Sequence, residues 1–194
     1  SFNTSTWNSG AFSDFPKNLR QSSETLNTME SGSLALAPDF LGSDDSMRIA
    51  FVGLAVDPAV STDMESEGIF RLDDSDVEVL KDEEAIKSVA FDGSLLVAGH
   101  LEEIIIYRGT DALDGAPSVS SSTGTKEPGG TDTVIVGLAG DMVVAATNGP
   151  ESAFAYSEDN GKTFNDLSMI RSDLFILNDV AMTPDGSKVY LVTR

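Results

Sequence analysis

Residues 135–146 read IVGLAGDMVVAA, and this stretch decides the fold. Two apolar runs, 135–139 and 142–146, flank the dipeptide Gly140-Asp141. Glycine and aspartate accept the positive φ of a tight hairpin, so the stretch predicts two antiparallel strands joined by a two-residue turn. Both runs are apolar at nearly every position, which is typical of strands that are buried on both faces.

The same pattern of strand, turn and strand occurs three more times along the chain. Its turns contain Asp92-Gly93, Pro184-Asp185-Gly186 and Pro38-Asp39. The copies begin near residues 34, 89, 136 and 180, in steps of 55, 47 and 44 residues. Propeller blades of four strands recur at roughly 40–50 residues. Third and fourth strands are predicted after the first three pairs, at 68–72 and 77–80, at 104–108 and near Val119, and at 153–156 and 162–167.

These repeats predict an all-β chain of about four four-stranded blades of a β-propeller. Propellers have four to eight blades, so the chain is interpreted as a section of a larger propeller of six to eight blades. Two alternatives stay open: a small closed ring, in which an N-terminal outer half completes the last blade, and a β-sandwich with similar strand spacing. The chain is predicted to be one propeller region over 1–194. It divides into the outer part of a preceding blade (1–32), blades at 33–82, 83–132 and 133–170, and the inner strands of a further blade (171–194).

Composition narrows the function classes. Thirty-two acidic residues against 12 basic ones give a formal net charge of −20, which repels phosphate backbones and anionic lipid heads and so argues against nucleic-acid partners. The longest apolar runs are too short to span a bilayer, so direct membrane insertion is not expected. The chain contains no cysteine, which excludes disulfides, thiolate metal sites and cysteine nucleophiles.

One short motif lies between the third and fourth strands of the 133–170 repeat. Residues 157–164 read SEDNGKTF, with Ser157, Asp159, Gly161, Thr163 and Phe164 at the informative positions. This resembles the Asp-box, S-x-D-x-G-x-T-W, of the bacterial-neuraminidase-repeat propellers, with Phe164 in place of the usual tryptophan. The resemblance implies a structural hairpin in which Asp159 accepts backbone N–H bonds and the aromatic residue anchors the returning strand.

The resembled family includes sialidases, receptors and assembly factors, so the motif implies an architecture and no particular reaction. A sialidase would need three arginines around a substrate carboxylate and a tyrosine nucleophile beside a glutamate. Arg71 and Arg108 fall at matching ends of third strands, which predicts a structural role instead. His100 is the single histidine of the chain and has no G-x-S-x-G partner motif. No catalytic residues are therefore predicted.

Acidic turns raise the question of calcium, which prefers clustered oxygen ligands on loops. The best candidate is Asp73-Asp74-Ser75-Asp76, although it does not match the D-x-[DN]-x-[DN]-G loop. Calcium at Asp73, Asp74 and Asp76 is thus one hypothesis, and a solvated acidic turn is the other. No other cofactor is expected.

The leading functional expectation is a non-catalytic scaffold or interaction module at the surface of a prokaryotic cell or outside it, such as a surface-layer or envelope-coat component. Its expected partners are proteins or copies of itself, and glycans are a further candidate. Two rival interpretations stay open: a section of a glycan-processing, sialidase-like hydrolase, and an assembly factor that binds a partner protein.

Overall fold

The computed structural model describes residues 29–57, 67–74, 76–115, 117–121, 126–169 and 177–193. The expectation of an all-β chain is confirmed. Within these residues the regular structure consists of antiparallel strands and one 3-10 turn, Asp45–Met47, with no α-helix. No described helix is therefore long and apolar enough to cross a bilayer. Residues 1–28, predicted to belong to the outer part of a preceding blade, lie outside the described part of the chain.

The strands form four antiparallel sheets in which chain neighbours pair in order. The first sheet contains β1 (Met29–Leu36), β2 (Ile49–Val56), β3 (Gly68–Asp73) and β4 (Asp76–Asp82). The second contains β5 (Ile86–Phe91), β6 (Leu96–His100), β7 (Ile106–Gly109) and β8 (Ser120–Ser121). The third contains β9 (Asp132–Ala139), β10 (Met142–Asn148), β11 (Ala153–Ser157) and β12 (Asn165–Met169). The fourth contains β13 (Leu177–Met182) and β14 (Val189–Thr193).

The predicted strand pairs are confirmed as hairpins in all four sheets. In β9 and β10, for example, Ile135 lies opposite Ala146. In β13 and β14, Val180 lies opposite Leu191. Gly140 in the third sheet has φ of 56°, as the turn prediction requires.

Two predicted strands begin later than expected, and both shifts have a local cause. β7 starts at Ile106 because the residues before it form a tight connection, in which the His100 N–H donates to the Ile105 carbonyl. β12 starts at Asn165 because the N–H groups of Lys162 and Thr163 are bound by the Asp159 carboxylate and cannot join the sheet ladder. A side-chain acceptor that competes for backbone donors thus sets the boundary of β12, whereas a backbone bond closes the connection before β7.

The sheets stack in chain order. β5 packs on β1 and β2, β9 packs on β5 and β6, and β13 packs on β9 and β10. The second and third sheets are therefore covered on both faces. Among the described strands the packing does not return from the fourth sheet to the first, so these sheets do not close into a ring. Four successive sheets also differ from the two facing layers of a sandwich.

Three apolar layers fill the spaces between the sheets. Phe51 and Ile69 lie between the first and second sheets, Val97 and Val143 between the second and third, and Val180 between the third and fourth. The first four of these side chains are completely buried. Burial of one such side chain stabilises the fold by about 1.5–3 kcal/mol, so the layers between sheets are the main source of stability.

Gly99 in β6 permits the closest approach between the second and third sheets. A Cβ atom at this position would overlap the carbonyl oxygen of Val134 in β9. Because the obstacle is backbone, it cannot rotate away as a side chain could. The absence of a side chain at residue 99 is therefore a condition for the contact of β6 with β9.

We expect Gly99→Ala to lower the free energy of unfolding by about 1–3 kcal/mol, because the added methyl group forces β6 and β9 apart. Urea unfolding followed by circular dichroism measures the change. Gly115→Ala is the matched control, since a Cβ atom there meets nothing within 4 Å. Equal stability of the two variants would show that the two sheets do not pack at residue 99.

Candidate functional site

The turn between β11 and β12, residues 157–164, is held by the carboxylate of Asp159. Its Oδ1 accepts hydrogen bonds from Ser157 Oγ (2.7 Å), the Lys162 N–H (3.1 Å) and the Thr163 N–H (2.8 Å). Its Oδ2 accepts one from Thr163 Oγ1 (2.6 Å). The carboxylate thus accepts four hydrogen bonds, all of them from residues of its own turn.

The electrostatics of the turn follow from these bonds. The hydroxyl of Thr163 makes the largest contribution to lowering the pKa of Asp159 below its usual range, followed by Ser157 and the backbone N–H groups of the turn. Hydrogen bonds to an ionised carboxylate stabilise its charged form, whereas burial, the second-largest cause, acts in the opposite direction. Asp159 is thus a fixed anion of the turn and not a proton donor.

The other residues of this turn join it to its neighbours. Asn160 and Gly161 have φ of 61° and 75°, and the Asn160 carbonyl accepts a hydrogen bond from Arg108 Nε in the second sheet (2.8 Å). Phe164 is fully buried between the second and third sheets, and its N–H donates to the Lys126 carbonyl (2.8 Å). The five residues singled out in the motif therefore meet in one turn, and their contacts are with the protein itself.

Three further aspartates hold turns in a simpler way. Asp44, Asp92 and Asp185 each accept, through Oδ1, the N–H and the hydroxyl of the serine two residues later. All three lie between the first and second strands of a sheet. The Thr183 and Ser187 hydroxyls lower the pKa of Asp185 to about 2. Sequence reasoning used Asp92-Gly93, Pro184-Asp185-Gly186 and Pro38-Asp39 for these turns and missed the serines, although the repeated Asp-x-Ser spacing was available as a signal.

The acidic turn between β3 and β4 has a structural partner. Asp73 lies opposite Asp76 in the ladder, and Asp74 accepts a hydrogen bond from Arg48 (2.7 Å). Arg48 also pairs with Asp45 (2.7 Å), so Asp74 and Asp45 fix the connection between β1 and β2. Among the described residues, no group of three histidine, aspartate or glutamate side chains is arranged to hold a metal ion. Nothing in this arrangement supports calcium at Asp73, Asp74 and Asp76, and that site stays a prediction.

The two arginines at matching ends of third strands bind neighbouring segments and do not converge. Arg71 is 7% exposed, and its Nη1 donates to the carbonyls of Ala112 and Asp114, both at 2.7 Å. Its Nη2 pairs with Glu78. Arg71 therefore holds the loop after β7, just as Arg108 holds the turn of the third sheet.

A tyrosine–glutamate pair does exist, at Tyr107 and Glu84. Burial and a hydrogen bond with Glu84 raise the pKa of Tyr107 far above its ordinary value. Tyr107 is 3% exposed and packs in the layer between the first and second sheets. A nucleophile must reach its substrate and needs an activated, more acidic hydroxyl. This tyrosine has neither property.

His100 ends β6 and is buried. Its Nδ1 accepts the N–H groups of Glu102 (3.1 Å) and Glu103 (3.0 Å), and its Nε2 lies 3.7 Å from Glu84. An Nδ1 that accepts two donors carries no proton, which assigns the proton to Nε2. The ring thus closes the connection between β6 and β7.

We expect Asp159→Asn to lower the free energy of unfolding at pH 6 by about 1–3 kcal/mol, because an amide accepts fewer of the four donors. The pKa of Asp159 is lowered on folding, so its contribution is complete above the ordinary value of 3.8 and is lost as pH falls through the folded-state pKa. Urea unfolding at pH 6 and thermal unfolding from pH 6 to pH 2 measure both effects.

The matched control is Glu158→Gln, which removes one negative charge from the exposed neighbouring residue and should leave stability unchanged. Wild-type stability at pH 6 in Asp159→Asn would contradict the assigned role of the carboxylate.

Comparison with known proteins gives no family assignment. No model of a known protein family matches the chain, and no curated protein matches it. The geometry of the described residues is therefore the basis for a functional conclusion.

Proposed function

We propose that the chain is a non-catalytic β-propeller, or a section of a larger propeller of six to eight blades, and that it acts as a scaffold or interaction module. The observation that carries this proposal is the stacking of successive four-stranded sheets, with the first strand of each sheet on the first two strands of the sheet before it. A propeller arranges its blades in this way around an axis.

The turn at 157–164 supports the same proposal. Its hydrogen bonds agree with the structural role that an Asp-box plays in a blade, and Phe164 anchors the returning strand as the resemblance implies. We therefore retain the Asp-box family as part of the proposal.

The polar side chains support a role without catalysis. Asp159, Arg71, Arg108 and His100 are engaged with backbone groups of the protein itself. A net charge of −20 keeps such a surface soluble and directs it towards cationic groups. We place the protein outside the cell or on its surface, in a surface layer or envelope coat, with proteins, copies of itself or glycans as partners.

The propeller arrangement predicts that the sheets fan out from an axis. In each sheet, the turn between the first and second strands is the inner turn, and the turn between the third and fourth strands is the outer turn. The first and third sheets should then be farther apart at their outer turns than at their inner turns. The chain has no cysteine, so pairs of introduced cysteines can carry spin labels at known positions. The inner pair is Asp39 with Asp141, and the outer pair is Asp76 with Glu158; all four residues are exposed.

Pulsed dipolar spectroscopy should give a longer distance for the outer pair than for the inner pair. Equal distances would indicate a parallel stack of sheets and would remove the propeller. Thermal unfolding of each labelled variant serves as the control for its fold.

The proposed role predicts no turnover of fluorogenic sialosides and other aryl glycosides by the purified chain. The principal alternative, a section of a sialidase-like hydrolase, predicts turnover of one of these substrates. Glycoside turnover would contradict the role without catalysis.

Labelling of intact source cells with a membrane-impermeant amine reagent, followed by detection of the chain, tests the location. Labelling only after the cells are broken would contradict a location outside the cell or on its surface. An assembly factor, the second alternative, predicts one stable partner in cross-linked extracts.

A further inference from the structure

Glu67 is a buried carboxyl group for which the described residues provide one hydrogen-bond donor. It directly precedes β3 and is 1% exposed. Its Oε2 accepts the N–H of Val56, the last residue of β2, at 3.2 Å, which is the single hydrogen bond of this carboxyl group within the described part of the chain. An ionised carboxylate usually needs several donors or a cation when it leaves water.

The charged groups around Glu67 are negative. Glu30 approaches from β1, Glu84 from the connection between β4 and β5, and Glu102 from the connection between β6 and β7. Glu84 itself pairs with Lys81 at 3.2 Å, and it lies 3.7 Å from Nε2 of the neutral His100 ring. No described cation forms an ion pair with Glu67.

Burial, more than any other cause, raises the pKa of Glu67 above its ordinary value of 4.5. The Val56 hydrogen bond acts in the opposite direction, and Glu102, Glu84 and Glu30 raise the pKa further. Desolvation and like charges both disfavour the ionised form, so they act together here.

We propose that Glu67 is a pH-sensitive latch between the first and second sheets. The neutral carboxyl group holds the end of β2 through its carbonyl oxygen. Ionisation places a fourth negative charge among Glu30, Glu84 and Glu102 and loosens the contact at this end of the sheets. The backbone bond from the Leu101 N–H to the Ala85 carbonyl (2.7 Å) joins the two connections that carry Glu84 and Glu102, and it is the bond of the second sheet expected to open first.

The direction of the pH dependence follows from the raised pKa. The stabilising contribution of Glu67 is complete below its unfolded-state pKa and is lost as pH rises through its folded-state pKa. This behaviour is opposite to that of Asp159, and it does not depend on the proposed function.

The experiment compares urea unfolding of the wild type and Glu67→Gln from pH 4 to pH 8. Glutamine keeps a carbonyl oxygen for the Val56 N–H and cannot ionise. We expect similar stability at pH 4 and a more stable variant at pH 8, by about tenfold in the folding equilibrium constant for each unit by which the pKa is raised. Glu127→Gln, at an exposed residue, corrects for the general relief of negative charge.

Two local measurements make the test specific. The side-chain carboxyl carbon of Glu67, followed by nuclear magnetic resonance, should titrate above pH 4.5. Hydrogen exchange at Val56 and Leu101, corrected for its intrinsic pH dependence, should accelerate from pH 5 to pH 8 in the wild type and not in Glu67→Gln. Parallel stability curves for Glu67→Gln and Glu127→Gln would overturn the latch. Titration of Glu67 at or below pH 4.5 would also overturn it, and that titration is measured in the wild type, so it holds even if Glu67→Gln folds poorly.

Discussion

The fold depends on strands that are buried on both faces. In β6, Leu96 and Ala98 point into the layer shared with the first sheet, whereas Val97, between them, points into the layer shared with the third sheet. All three are completely buried. Successive side chains of a strand lie on opposite faces, so such a strand is stable only with a sheet on either side. This requirement turns a series of hairpins into a stack.

The first strand of each sheet has one edge without a neighbouring strand, and the backbone groups at that edge also need hydrogen-bond partners. Two serines supply such partners across the sheet interfaces. Ser33 in β1 accepts the Val89 N–H of β5 at 3.0 Å, and Ser88 in β5 accepts the Val136 N–H of β9 at 2.9 Å. Buried N–H groups without partners are costly, so these hydroxyls fix the register between sheets while the apolar layers supply most of the free energy.

The strand pairs and their turns could be predicted from sequence because a hairpin is a local event. Gly140-Asp141 between two apolar runs suffices to specify one. The start of β12 could not be predicted, because Asp159 binds the N–H groups of Lys162 and Thr163, which the apolar pattern assigns to the strand. Glu67 was missed for a different reason: its burial depends on packing between segments distant in sequence, and no periodicity identifies it.

The two kinds of carboxylate explain how one chain carries so many acids. Asp159 and Asp185 lie in turns that offer N–H and hydroxyl donors, and folding stabilises their charge. Glu67 lies where the described residues offer one donor and three like charges, and folding opposes its charge. The number of N–H and hydroxyl donors around an acid, and not the number of acids, thus decides whether that acid stabilises this protein. An acidic surface is compatible with a stable stack because most of its charges lie in turns and the layers between the sheets are apolar.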